Sequence, residues 1–192
     1  EGIAKAFKLL CNEFGIKCIV VLGKADKEGD FSGDKYHAWN LVKIREESYY
    51  VDITWDNMYD TDIHHISYDY FNVTTNDILK DHQLIGGLLP LCESTRLNYF
   101  YSTKSFVSTY SEIVELMYTR FDAKEIMFKA NTDKGEFQRI DELKEKTVLA
   151  IRHVMFTRKK VKPFALMFNE LHNIAKVIFM PEERKKIDLK KY

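Results

Sequence analysis

Two neighbouring stretches decide the reading of this chain: Tyr36–His37–Ala38–Trp39–Asn40–Leu41–Val42–Lys43–Ile44, and Tyr49–Tyr50–Val51–Asp52–Ile53–Thr54–Trp55–Asp56. Both are rich in β-branched and aromatic residues, and the polar Arg45–Ser48 between them reads as a turn, so an antiparallel hairpin over 36–44 and 49–54 is predicted. Residues on facing strands can stand side by side on one face of the sheet. His37 near the start of one strand and Asp52 near the end of its partner fit that geometry. A carboxylate beside an imidazole fixes its tautomer and orientation and stabilises the imidazolium. Such a pair is the acid–base half of a nucleophilic triad and lacks only the nucleophile. Both tryptophans, Trp39 and Trp55, fall in these stretches. With Tyr36 they are candidates for lining a substrate site, and their alternative role is packing within the sheet.

Outward from the hairpin, residues 3–14 carry apolar side chains at Ile3, Ala6, Phe7, Leu10, Cys11 and Phe14, the spacing of an amphipathic helix, with Gly15 as its stop. Lys17–Leu22 reads as a strand, and Lys24–Lys35 as a solvated loop. Thr74–Leu79 reads as a short helix capped by Thr74 or Thr75, and Asn98–Tyr101 as a strand. Beyond residue 103 the pattern predicts helix at 105–119, strand at 125–129, a long helix at 135–157, and strands at 163–168 and 174–179. The expected organisation is therefore a first unit, 1–102, and a smaller C-terminal α/β lobe, 103–192.

Composition narrows the function. The 192 residues hold 29 Lys+Arg against 29 Asp+Glu, and 45% are hydrophobic. That is globular composition without the broad cationic field that nucleic-acid binding needs. No apolar run is longer than Cys18–Leu22, which is far below the roughly 20 residues of a membrane span. Residues 158–192 carry ten Lys+Arg and four Asp+Glu, a basic end read as a solvated face. The three cysteines, Cys11, Cys18 and Cys92, form no CxxC pair, and none begins a helix, where a nucleophilic thiol is best activated. His64, His65 and His82 lack metal-ligand spacing and read as surface or hydrogen-bonded residues. The acidic residues Asp26, Glu28, Asp30 and Asp34 lack the EF-hand order. Neither a metal nor a cofactor is expected.

The words Glu1-Gly2-Ile3-Ala4-Lys5-Ala6-Phe7, His37-Ala38-Trp39-Asn40, Val51-Asp52-Ile53-Thr54-Trp55-Asp56, Tyr70-Phe71-Asn72 and Asp81-His82 occur in this order. Over residues 1–100 this resembles the bacterial transglutaminase-like family of the papain-like superfamily. The resemblance implies an α+β fold, an N-terminal helix on an antiparallel sheet. It also implies thiol-dependent acyl transfer on peptide or glutamine carbonyls by a Cys-His-Asp triad. His37 and Asp52 take the family's His and Asp positions, and the nucleophilic cysteine is expected immediately before Glu1, outside the sequence. Hydrolysis, as in a cysteine protease or amidase, is the expected outcome, with transglutaminase activity as the other. A peptide or protein substrate, and a secreted or cell-surface location, are implied in the same way. The alternative from another class is a non-catalytic module that binds a peptide or cell-wall partner.

Overall fold

The computed structural model describes residues 1–32, 35–57 and 66–180. His64, His65, Asp34 and residues 181–192 of the basic end lie outside them. The protein is α+β and divides into two compact units, Glu1–Thr103 and Lys104–Tyr192.

The first unit is built on a four-stranded antiparallel sheet in the spatial order β3 (Glu47–Val51), β2 (Tyr36–Ile44), β1 (Lys17–Ala25) and β4 (His82–Leu84). Helix α1 (Gly2–Glu13) buries Ala4 and Cys11 and packs Phe7 against Cys18, Val42, Tyr49 and Val51. It ends as expected at Gly15, whose φ of 70° suits a residue without a Cβ, while Ile16 N–H reaches back to Cys11 C=O. The buried stripe is narrower than the sequence pattern, since Leu10 and Phe14 are exposed. Strand β1 (Lys17–Ala25) runs three residues beyond Leu22 because β4 (His82–Leu84) pairs with its end, Gly23 opposite Leu84 and Ala25 opposite His82.

Strand β2 (Tyr36–Ile44) keeps its predicted bounds and pairs with β3 (Glu47–Val51) through a turn tighter than expected. Its second strand does not continue to Thr54. Asp52 leaves the ladder to cap α2 (Ile53–Asp56), its Oδ1 accepting from the N–H groups of Thr54 and Trp55. A local side-chain acceptor has outcompeted the strand's own propensity. The same cause overturns the strand expected at Asn98–Tyr101. Asn98 Oδ1 takes the N–H of Phe100 and starts α4 (Tyr99–Ser102). Between these, α3 (Thr75–Ile78) is capped by Thr74.

The second unit holds a mixed sheet, β5 (Phe106–Val107), β6 (Glu125–Ala130), β8 (Ile174–Phe179) and β7 (Phe164–Asn169) in that spatial order. Helices α5 (Tyr110–Thr119) and α6 (Ile140–Thr157) contribute Ile113, Met117, Ala150, Ile151 and Val154 to a core shared with Ile126, Phe128 and Val177. Both helices start later than predicted. Thr109 and Glu112 form a capping box that fixes the first turn of α5, and the residues before it pair as β5. Glu142 does similar work for α6 by accepting from the N–H groups of Gln138 and Arg139. No described helix is long and apolar enough to cross a membrane.

Candidate active site

Strand alternation places the site on one face of the first sheet. His37 lies opposite Gly23, Trp39 opposite Val21, and His82 opposite Ala25, so all three project from the face that α1 does not cover. Asp52 follows Val51, whose side chain packs under α1, and therefore turns to the same face as His37. The backbone at Gly23 is essential to this arrangement. A Cβ there would lie 2.2 Å from the Gln83 carbonyl oxygen and 2.4 Å from Trp39 Cη2, so only glycine lets the Trp39 ring lie across the junction of β1 and β4.

His37 and Asp52 meet directly. The Nε2 of His37 stands 2.5 Å from Asp52 Oδ2, and the imidazole keeps a narrow solvent edge while the carboxylate is buried. His37 Nδ1 makes no hydrogen bond among the described residues. Trp39 stacks on the His37 ring at 6.0 Å and Trp55 tilts against it at 5.6 Å. Trp39 is wholly buried, so it supports the ring from behind; the partly exposed Trp55 is the one indole able to meet a ligand. Tyr36 is not brought to the site. It precedes His37 on the strand, projects from the other face, and is 71% exposed beside Lys24.

A residue outside the predicted pair completes the cluster. His82 Nε2 lies 3.0 Å from the same Asp52 Oδ2, and its Nδ1 lies 2.6 Å from Asp81 Oδ1. Tyr70 donates its hydroxyl to Asp81 Oδ2 at 2.7 Å. The His82 ring is buried between Trp39, Trp55 and Tyr70, with centroids at 4.8, 4.6 and 5.5 Å. Burial alone would drive its proton off, but the hydrogen bonds to Asp52 and Asp81 outweigh burial and hold its pKa above the ordinary imidazole value. Burial likewise pushes the Asp52 carboxyl up, and the hydrogen bonds from His37 and His82 overcome this to hold it down. Asp56, next to Trp55 in the chain, has no such cation among the described residues. Burial raises its carboxyl well above the ordinary value even though its Oδ1 accepts from Tyr70 N–H.

No protein-family model and no curated protein matches the chain. His37, Asp52 and His82 are the one group among the described residues with donor atoms close enough together, within 4.8 Å, to hold a metal. Ligands at zinc bond lengths of about 2.0–2.1 Å stand about 3.3 Å apart around a tetrahedral ion. The 2.5 Å separation of His37 Nε2 from Asp52 Oδ2 is shorter than that. It suits a proton shared between nitrogen and carboxylate.

The visible thiols sit elsewhere. Cys11 and Cys18 are buried in the α1 face, and Cys92 is buried in the Trp39 cluster. Burial pushes the thiols of Cys18 and Cys92 up to about 11, far from the acidified range of a nucleophile. On the α1 face Asn40 Nδ2 donates to Ala4 C=O at 2.9 Å, tying the helix to β2. Cys11 packs near Cys18 and Val42 while Ala4 reaches Asn40, so the N-terminal end of α1 lies toward the end of β2 that carries His37, with the helix on the sheet face opposite the His37 side chain.

The sequence pointed to His37, Asp52, Trp39 and Trp55, which stand together. It missed the roles of His82, Asp81 and Tyr70. The only local signal was the adjacent pair Asp81-His82, since a buried imidazole is best held by a neighbouring carboxylate.

Proposed function

We propose that the first unit carries the acid–base half of a thiol-dependent acyl-transfer enzyme with a papain-like, transglutaminase-like core. The single observation behind this reading is the His37 Nε2–Asp52 Oδ2 hydrogen bond, which leaves His37 Nδ1 as the working nitrogen. The ordered words shared with the transglutaminase-like family support it, and so does the placement of the N-terminal end of α1 toward the His37 end of β2.

The nucleophile in this reading is a cysteine immediately upstream of Glu1, at the start of α1. Unpaired N–H groups of a first helical turn and the positive end of the dipole favour a thiolate there. The thiolate attacks a peptide or glutamine carbonyl carbon, and the oxyanion is met by backbone N–H groups of the helix start. His37 gives its Nδ1 proton to the departing amine, and the acyl group remains as a thioester. Water then loses a proton to His37, attacks the thioester and releases the acid, regenerating thiolate and imidazolium. An amine in place of water gives transamidation. Asp52 keeps Nε2 protonated throughout, and Trp55 shields the thioester from bulk water.

The test is alkylation of the full-length protein with iodoacetamide, mapped by mass spectrometry. One cysteine just before Glu1 should react far faster than Cys11, Cys18 and Cys92, and His37→Ala should remove that advantage. Uniformly slow thiols, or no cysteine at that position, would overturn the enzyme reading and favour the peptide- or cell-wall-binding module.

A further inference from the structure

The second histidine is the group that the acid–base reading does not use. Its surroundings are unusual for a filler residue. His82 is fully buried, both ring nitrogens face carboxylates, and one of those carboxylates is the partner of His37. Both imidazoles address one atom, Asp52 Oδ2, because Oδ1 is engaged by the N–H groups of Thr54 and Trp55. A ring with carboxylates at both nitrogens can satisfy the two of them only by donating twice, which requires the imidazolium form.

We propose that His82 is a positioning residue for the acid–base pair: a buried imidazolium, held between Asp81 and Asp52, that locks the Asp52 carboxylate and shares the oxygen on which His37 rests. This rests on the acyl-transfer reading only for its consequence in catalysis; the charge state and the sharing stand on geometry. Two effects follow. The lock fixes the plane of Asp52 from both ends, so the His37 ring is set without help from solvent. The added cation also draws negative charge from Oδ2 and weakens its hold on the His37 Nε2 proton.

The groups facing His82 are Asp52 at the start of α2, Asp81 beside it in the chain, His37 on β2, and Tyr70 through Asp81. Asp56 acts only at one remove, through its repulsion of Asp52. Tyr70 supplies a second donor to Asp81, so that carboxylate is itself oriented and does not need to rotate toward water. The rings of Trp39 and Trp55 pack on the imidazolium and keep water from competing for its protons.

The experiment is nitrogen-15 and proton NMR of the imidazoles in the full chain, in the wild type, His82→Gln and Asp81→Asn. In the wild type at pH 7, both His82 nitrogens should be protonated and both N–H protons should resonate downfield and exchange slowly. In His82→Gln, a neutral donor replaces the cation, and the His37 Nε2–H proton should move further downfield as Asp52 binds it more strongly. In Asp81→Asn, the His82 titration midpoint should fall by about one pH unit or more, the size of a close opposite charge lost from a buried site. A neutral His82 at pH 7, read in the wild type alone, would overturn the proposal even if neither variant folds. So would a His37 Nε2–H resonance that stays in place in a folded His82→Gln. None of these signals depends on a nucleophilic cysteine, so failure here and failure of the alkylation test are distinguishable.

Discussion

Asp52 serves four donors with two oxygens. Oδ1 takes the N–H groups of Thr54 and Trp55, and Oδ2 takes His37 and His82. Truncating it strands a buried imidazolium and uncaps α2. Breaking a buried pair from one side costs about 3–5 kcal/mol, and the lost cap about 1 more. Asp52→Ala should therefore lower the urea midpoint sharply. If the chain acts as an acyl-transfer enzyme, it should also lose roughly 10³–10⁴ in kcat, because the His37 tautomer is no longer fixed. Linkage gives the pH window. The folded pKa of His82 is raised, so its contribution is complete below about 6.5 and is lost as pH rises through the folded value. That of Asp52 is lowered, so its contribution is complete above about 4 and is lost as pH falls through the folded value. Urea midpoints measured across pH should fall off on the alkaline side in the wild type, and this fall should be absent in His82→Gln. Asp56 has the opposite sense for a carboxyl: its raised pKa helps the fold only while it stays protonated. Asp56→Asn keeps an acceptor for Tyr70 N–H. It should gain about 1 kcal/mol at pH 7, by relieving the cost of a buried charge, and lose that gain toward pH 4.

Among the elements, β4 is the least expected and the most consequential. Three residues long, it delivers His82 to the sheet by pairing with the end of β1 beside Gly23. Gly23→Ala would set a Cβ against the Gln83 carbonyl and the Trp39 ring, both under 3.0 Å, and neither a paired backbone nor a buried indole can give way cheaply. The expected cost is about 1–3 kcal/mol. Amide hydrogen exchange should show the loss concentrated at 82–84, with β2 and β3 kept. The helix that replaces the strand expected at Asn98–Tyr101 follows a rule legible in hindsight: Asn at a cap position followed by an aromatic turn. The sequence pattern could not separate the two, because Asn98 bonds Phe100 N–H while its own amide reaches Phe71 C=O, a partner distant in the chain.

For the whole molecule, each unit has a core of its own: Trp39, Tyr50, Tyr70 and Ile78 in the first, and Phe128, Ile113, Ile151 and Val177 in the second. All residues of the candidate site fall in Glu1–Thr103. Residues 104–192 expressed alone should therefore melt as a cooperative domain, seen by calorimetry. Residues 1–103 expressed alone should keep the downfield imidazole protons. Loss of those protons from a folded fragment would show that the site depends on the second unit.

The sequence by itself determined the hairpin, because alternation over 36–44 and the polar turn leave one way to bury Trp39 and Leu41 on a common face. It also determined that His37 and Asp52 would share that face, since both follow from a period of two. Only the tertiary structure decided that Asp52 ends its strand and that His82 closes the cluster from 30 residues along the chain. The physical reason is range. Periodicity and caps act between near neighbours, whereas the charge on a buried imidazole depends on which carboxylates the fold brings to its two nitrogens.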